Sequence, residues 1–288
     1  MKLRSIETWI RRKRRAAMKR VFDRPRGRKL LLDLLPVTVS ELTLDLGDHR
    51  LTVPADDLIG RHVFAHGDFA RDSVEMVCRI LDEARLLAPD GNTLLEIGAN
   101  IGTQTVYFGM SKRFGRIVAI EPDPRNVALL RQNVAQNGLS PVTVICPFAA
   151  GDKAGPVALR RIAGNSGNAG LVHPESACGD VVAVEEKPVG DLLADAGVAE
   201  ADVSLIWMDI EGYEPVAIRS MTGLLERSVP LFMEYSPAFY TDEQVQAMLA
   251  LLDRYYGRCI VFDGGGRRET KARDLHAIRK QCDVLLLP

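Results

Sequence analysis

Four acidic residues lie where short apolar runs of the sequence end. Glu96, Glu121, Asp209 and Glu234 each end or follow a run of aliphatic residues that is typical of a buried strand. A carboxylate is costly to bury without a partner, and ligands of parallel α/β sheets bind beyond the carboxyl ends of the strands. Each acid could instead cap a neighbouring helix, but four acids at four strand ends favour one common binding crevice.

A turn bounded by two glycines, Gly98 and Gly102, follows the first of these strands. Glycine permits a sharp bend and a close approach of the backbone to a ligand, although the spacing differs from the dinucleotide-binding pattern G-x-G-x-x-G. Glu121, 23 residues after Gly98, could accept hydrogen bonds from both hydroxyls of a ribose. No arginine clamp or P-loop lysine is evident for a phosphate chain, so we expect a nucleoside with a short charged tail. S-adenosylmethionine fits this description, and Glu96 would favour its positive charges.

Three segments resemble motifs of the FkbM family of methyltransferases. Residues 95–102 are similar to the family's first motif, residues 120–122 to its second, and residues 208–214 to its acidic D-x-E-G-x-E motif. The resemblance covers about residues 90–240 and extends more weakly over residues 40–288. Members of this family depend on S-adenosylmethionine and usually methylate hydroxyls of sugars, glycans or polyketide natural products. The resemblance therefore implies an S-adenosylmethionine-dependent O-methyltransferase.

The resemblance also implies roles for individual residues. It places against the cofactor Glu96, Gly98, Asn100 and Gly102 at the methionine end, Glu121 at the ribose and Ala149 near the adenine. Asp209, Glu211 and Glu234 would lie on the acceptor side. Trp207 departs from the family's pattern, because many members have a lysine at this position.

Methyl transfer to an alcohol requires positioning of the reactants and a base for the hydroxyl proton. We expect Asp209 to be that base, because it ends a strand that faces the crevice, and Glu211 to be the second candidate. His173 and Tyr213 are expected to contact the acceptor together with Glu234. We expect no bound metal, although the three acids are oxygen ligands of the kind that magnesium accepts.

Apolar runs and helical periodicities alternate from residue 93 onward. The predicted strands cover residues 93–97, 116–120, 142–146, 203–208, 230–233, 259–262 and 284–287. This order predicts an α/β fold of the Rossmann-like class I methyltransferase type, with a mostly parallel seven-stranded sheet and helices on both faces. The Gly- and Asn-rich residues 164–170 are expected to form a lid over the acceptor.

The sequence predicts three regions along the chain. A basic N-terminal arm covers residues 1–30, a lead-in hairpin and helix cover residues 31–90, and the methyltransferase domain covers residues 91–288. Within the first two regions, residues 25–27 are expected to be a linker and residues 41–53 a hairpin.

Charge is distributed unevenly along the chain. Residues 1–30 carry thirteen Lys or Arg and two acids, for a net charge of +11, whereas residues 31–288 have a net charge of −12. The basic arm suits an anionic partner, namely a membrane surface or nucleic acid, and is either an interfacial helix or a solvated arm. Nucleic acid is disfavoured because the rest of the chain is acidic. We expect a cytoplasmic protein, peripheral to the inner membrane face if the arm binds lipid.

Composition excludes several classes of protein. The 288 residues are 47% hydrophobic and 26% charged, which excludes a disordered, collagenous or coiled-coil chain. The five cysteines are widely spaced and form no C-x-x-C pair, so neither a zinc knuckle nor a redox pair is expected. Two alternatives to the O-methyltransferase remain. One is an RNA methyltransferase that uses the arm to grip phosphates, and the other is a non-catalytic nucleoside-binding module.

Overall fold

The computed structural model describes residues 2–36, 38–172, 180–264 and 266–288. The chain separates into two compact units, Met1–Phe69 and Ala70–Pro288. Among the described helices, none combines the length and the apolar character that crossing a lipid bilayer requires.

The described residues of the first unit form three helices and a hairpin. Its elements are α1 (Lys2–Phe22), α2 (Pro25–Asp33), β1 (Glu41–Asp45), β2 (Arg50–Pro54) and α3 (Leu58–His66). The hairpin prediction is confirmed, with Leu44 opposite Leu51 in an antiparallel register.

The prediction of a linker at residues 25–27 is wrong, because these residues form the first turn of α2. Proline is favoured at the first position of a helix, where its missing N–H costs nothing. Gly27 is buried beside α1, and a Cβ atom there would lie 2.1 Å from the carbonyl oxygen of Val21. The glycine therefore permits helix packing rather than flexibility.

The second unit alternates helices and strands. Its helices are α4 (Arg71–Glu83), α5 (Thr103–Ser111), α6 (Pro124–Gln136), α7 (Val189–Asp195), α8 (Glu214–Arg219), α9 (Thr222–Glu226) and α10 (Asp242–Tyr255). Its strands are β3 (Thr93–Ile97), β4 (Arg116–Ile120), β5 (Thr143–Cys146), β6 (Ala149–Gly151), β7 (Gly155–Ile162), β8 (Asn165–Val172), β9 (Val181–Pro188), β10 (Val203–Met208), β11 (Leu231–Tyr235), β12 (Arg258–Asp263), β13 (Gly266–Thr270) and β14 (Cys282–Leu287).

The main sheet has eight described strands in the order β13-β12-β14-β11-β10-β3-β4-β5. The five strands from β11 to β5 are parallel to one another, and the remaining three pair antiparallel. The Rossmann-like α/β prediction is confirmed, but the sheet exceeds the predicted seven strands by β13. That strand is almost wholly exposed and carries the polar sequence Gly-Arg-Arg-Glu-Thr, so no apolar run marks it.

Helices cover both faces of this sheet, as predicted. Residues on α4, α5 and α6 pack against one face, and residues on α7 to α10 pack against the other. Successive side chains of β3 point to opposite faces of the sheet. Leu94 packs in the core on the side of α4 to α6, and Leu95 packs in the core on the side of α7 to α10. Because β3, β4, β10 and β11 are parallel, their carboxyl ends lie at the same edge of the sheet, where the predicted acids are found.

A second sheet, in the order β6-β9-β7-β8, was not predicted. It is inserted between β5 and β10 and is built mainly from antiparallel pairs. The Gly- and Asn-rich segment predicted to be a lid lies mostly in β8 and pairs with β7, so it is a strand and not a loose connection. Its small and polar residues give little strand propensity, and pairing with β7 determines its conformation.

Candidate active site

The turn after β3 meets the end of β10 at very short range. Gly98 has φ +89°, and a Cβ atom there would lie 1.9 Å from the carbonyl oxygen of Asp209. The N–H groups of Gly98 and Ala99 both donate to the carbonyl oxygen of Ile120, each over 2.9 Å. Three strand ends are thereby joined through the backbone, and only glycine fits at the junction.

Glu121 organises the second strand end. Its Oε2 accepts a hydrogen bond from the N–H of Asn100 at 2.9 Å, and its Oε1 accepts one from the N–H of Asp123 at 2.8 Å. Burial raises the pKa of Glu121 to about 7, opposed by these backbone hydrogen bonds. The carboxylate links the turn after β3 to the start of α6 and lines the adjacent cleft.

That cleft brings together six of the predicted site residues. The lining includes Gly98, Asn100, Glu121 and Ala149, which were predicted to bind the cofactor, and Asp209 and Glu211, which were predicted to be catalytic. Apolar side chains such as Ile97, Ile120 and Pro122 form part of the wall between these groups. The cleft is therefore lined by both polar groups at the strand ends and apolar side chains.

The second sheet supplies a wall of the cleft that sequence reasoning missed. Leu159 of β7 and Ser166, Ala169 and Leu171 of β8 line the cleft. Leu159 and Leu171 are paired across the two strands. The period-two pattern of leucine and valine in β7 and β9 was the available signal, but the glycines of β8 obscured it.

Arg161 of β7 links the second sheet to Asp123 at the start of α6. Nε and one terminal nitrogen of Arg161 each donate to a different oxygen of Asp123 over 2.6 Å. Both side chains are mostly buried, so the bidentate pair is shielded from solvent. Asp123 also caps α6, where its Oδ1 accepts a hydrogen bond from the N–H of Arg125 at 2.8 Å.

Glu96 and Gly102 are not among the residues that line the cleft. Gly102, with φ +86°, precedes α5 and packs against Leu130. Glu96 is buried beneath the turn, where its Oε2 accepts from Oγ1 of Thr105 at 2.6 Å, and no described residue hydrogen-bonds its Oε1. Burial raises the pKa of Glu96 to about 8, so a proton on the carboxyl is favoured at neutral pH. Binding of the cofactor's methionine end by these two residues stays a prediction.

Trp207 lies beside Glu96 in the parallel register of β10 and β3. Its ring stacks on Phe232 with centroids 3.9 Å apart and meets Phe108 edge-on at 5.2 Å. The position that carries lysine in many family members is therefore an aromatic core position here. Glu96 gains no positive neighbour from it.

The acidic motif after β10 is held by its last member, Glu214. The two carboxylate oxygens of Glu214 accept from the N–H of Ile210 at 3.1 Å and from the N–H of Gly212 at 3.0 Å. The hydroxyl of Tyr240 donates to the same carboxylate at 3.0 Å. Glu214 is fully buried, and its hydrogen bonds stabilise the turn that contains Glu211. Glu211 has φ +50°, a conformation that is rare for a residue with a side chain.

Asp209, Glu211 and Glu234 form a close carboxylate cluster. One oxygen from each lies within 4.8 Å of the others. Oδ1 of Asp209 is buried and receives no hydrogen bond from any described residue. Burial, followed by the charges of Glu234 and Glu211, raises the pKa of Asp209 well above its usual value. Burial likewise raises the pKa of Glu211 to about 7, with Glu234 the next cause.

The remaining predicted acceptor residues have different surroundings. Glu234 accepts from Oγ of Ser236 at 3.1 Å and from Nε2 of Gln281. The Tyr213 hydroxyl donates to the buried carboxylate of Glu186 at 3.3 Å, and Tyr213 is absent from the cleft lining. His173 lies outside the described residues.

Comparison with known proteins finds one family model that matches this chain. The family model described as "Methyltransferase FkbM domain" matches residues 96–258, more than half of the chain. The 23S rRNA (uracil(1939)-C(5))-methyltransferase RlmD of Acidithiobacillus ferrooxidans is 32% identical over 120 residues, which are 42% of this chain and 25% of that protein. The chain spans a quarter or less of the length of the curated relatives it matches.

Two solved structures are among those similar to this chain. TYW2 of M. jannaschii in complex with AdoMet is 9% identical with a TM-score of 0.45, covering 88% of this chain and 87% of that chain. The precorrin-6y C5,15-methyltransferase of Geobacter metallireducens GS-15 is 12% identical with a TM-score of 0.40, covering 74% and 88%.

The buried Glu96 generates a prediction about stability and pH. Its pKa is about 8 in the folded chain against an ordinary 4.5, so the folded state holds a proton that the unfolded chain releases. This contribution to stability is greatest below the ordinary pKa and declines as the pH rises toward 8. We expect Glu96→Gln, which keeps an acceptor for Thr105, to flatten that decline in urea midpoints measured at about pH 5, 7 and 9.

Glu226→Gln, at an exposed position, is the matched control and should leave the pH dependence unchanged. An identical pH dependence for Glu96→Gln and the parent chain would mean that Glu96 is ionised in the folded protein.

Proposed function

Since the chain belongs to the FkbM methyltransferase family, its domain is an S-adenosylmethionine-dependent methyltransferase domain, and we propose that it methylates a hydroxyl group. The proposed acceptor is a sugar, a glycan or another hydroxylated natural product. The observation that carries this proposal is the cleft lined by Asp209, which has a carboxylate oxygen that no described residue hydrogen-bonds. A hydroxyl group can donate a hydrogen bond to such an oxygen.

The residues of the cleft fit S-adenosylmethionine. Gly98 leaves the turn free of side-chain atoms where the backbone must stay close to Asp209. Glu121 and Asn126 lie together at the cleft, and a carboxylate there suits the two hydroxyls of a ribose. Ala149 and Leu159 offer an apolar surface for an adenine ring. When bound, S-adenosylmethionine supplies an electrophilic methyl group on a sulfonium.

Asp209 is the proposed general base. Its pKa is raised by burial and by two neighbouring carboxylates, which makes it a stronger proton acceptor than an ordinary aspartate. Its backbone N–H donates to the carbonyl oxygen of Ile97 at 3.0 Å, so β3 and β10 fix its position. In this proposal Asp209 takes the proton of the acceptor hydroxyl as the oxygen becomes nucleophilic.

The other acids have supporting roles in the proposal. Glu211 is the second candidate for the base. The hydrogen bonds from the N–H groups of Ile210 and Gly212 to Glu214 fix the turn that carries it. Glu234 is proposed to border the acceptor, and its carboxylate accepts a hydrogen bond from Oγ of Ser236. The hydroxyl of Tyr213 donates a hydrogen bond to Glu186, so Tyr213 is proposed to contact the acceptor through its ring. The role of His173 stays a prediction.

Replacing Asp209 tests the proposed base. We expect Asp209→Asn to retain S-adenosylmethionine binding, because the change removes no contact to the ribose side, and to lower kcat by about 10²–10⁴-fold. Glu211→Gln should have the smaller effect. Binding is measured by calorimetry, and turnover by transfer of a labelled methyl group to a panel of hydroxylated acceptors.

Asp90→Asn, at an exposed turn, is the control and should leave turnover unchanged. Full turnover by Asp209→Asn would remove this residue from the chemistry.

A metal at the carboxylate cluster is a separate question with its own test. We expect activity to survive exhaustive treatment with a chelator, because both oxygens of Glu234 already accept hydrogen bonds and burial favours protonation of Asp209. Activity is measured before and after chelation and again after magnesium is added. Loss on chelation and recovery with magnesium would instead assign the three acids as ligands.

RNA methylation is the second candidate, and it rests on the activity for which a relative is named. RlmD of Acidithiobacillus ferrooxidans is named as a 23S rRNA methyltransferase, and residues 1–30 carry a net charge of +11. The net charge of −12 over residues 31–288 disfavours a phosphate-binding groove in the rest of the chain. Including ribosomal RNA in the acceptor panel distinguishes the two.

A further inference from the structure

The two N-terminal helices expose apolar side chains among a dense set of positive charges. From these observations we propose that α1 and α2 form a docking surface for an anionic lipid bilayer. The proposal is independent of the acceptor and of the cofactor. Its occupant is a membrane interface with acidic headgroups, argued below from charge and from exposed apolar area.

Charge is the first argument. Residues 11–20 include seven Lys or Arg and no acid, and every one of these side chains is exposed. The helix α1 has 21 residues and is therefore about 31 Å long. The negative surface potential of an anionic bilayer attracts each Lys or Arg that lies near it. A surface of acidic headgroups is large and flat enough to meet charges along the whole helix.

Exposed apolar side chains are the second argument. Eight large hydrophobic residues are exposed in the described part of the chain, and five of them lie on α1 or α2 or at the end of α2. They are Trp9 (59% exposed), Met18 (59%), Val21 (58%), Leu30 (50%) and Leu34 (70%). Leu30 and Leu34 are four residues apart, so they share one face of α2. Burying such side chains at the acyl boundary is favourable, and tryptophan prefers the headgroup level.

The distribution of charge around α1 is compatible with a lipid surface. Basic residues occupy every face of the turn at residues 11–15, and Nζ of Lys13 lies 5.0 Å from the ring centre of Trp9. Long basic side chains can extend their charged ends to the headgroups while their apolar stems and neighbours sit deeper. Nucleic acid would attract the same charges but would leave Met18, Val21, Leu30 and Leu34 exposed to water. The exposed apolar side chains therefore favour a lipid surface over nucleic acid as the partner.

Tryptophan fluorescence of the whole chain provides a direct test. The chain has two tryptophans, of which Trp9 is exposed and Trp207 is buried in the core. Vesicles of phosphatidylcholine alone are compared with vesicles that also contain phosphatidylglycerol. We expect co-sedimentation only with the anionic vesicles, a blue shift of the emission, and loss of both at high salt. Trp9→Phe should still sediment with the vesicles and show no blue shift.

Three further variants separate the two contributions. Replacing Arg11, Arg12, Lys13, Arg14 and Arg15 by Gln should lower the vesicle partition coefficient by more than about 100-fold. Replacing Met18, Leu30 and Leu34 by Ser should lower it by at least about tenfold. Leu58→Ser is the matched control, because Leu58 is equally exposed in the same unit but lies on α3.

Two results would overturn the proposal. One is the absence of binding to anionic vesicles by the folded full chain. The other is binding to random-sequence RNA that is tighter than binding to vesicles and is unaffected by the three Ser substitutions. That second result would assign the helices to a nucleic acid.

Discussion

Repulsion among partly buried carboxylates is the constraint on which this site depends. Asp209, Glu211, Glu234 and Asp283 lie close together at the carboxyl end of the sheet, and like charges in a region of low dielectric cannot all ionise at low cost. Burial and repulsion raise the pKa of Asp209 and favour its protonated form, while two backbone N–H groups donate hydrogen bonds to the neighbouring carboxylate of Glu214. A carboxyl that is reluctant to ionise is also a good proton acceptor once it has done so.

Backbone contacts then hold these groups in position. Gly98 lets the turn after β3 touch the carbonyl of Asp209, and Glu121 ties that turn to the start of α6. Arg161 extends the same network to the second sheet through Asp123. The cleft is therefore bounded by groups that share hydrogen bonds, and a ligand that fits it meets a largely preorganised surface.

The sequence predicts the sheet well and the cleft less completely. Runs of buried aliphatic residues mark β3, β4 and β10 because those strands are apolar on both faces. The exposed β13 and the glycine-rich β8 lack this signal, so the eighth strand and the wall of the cleft were missed. Likewise, the acidic motif is visible in the sequence, but the role of Glu214 depends on backbone N–H groups that only a folded turn presents.

Binding of S-adenosylmethionine tests the account most directly. Isothermal titration of the full chain should give a dissociation constant in the micromolar range, and Glu121→Ala should weaken it by at least about tenfold, since a charge-assisted pair of hydrogen bonds is lost. Glu226→Ala, at an exposed helical position, should bind like the parent chain. Circular dichroism establishes that each variant is folded. Absence of binding to the folded parent chain, or equal affinity after Glu121→Ala, would contradict the proposed cofactor site.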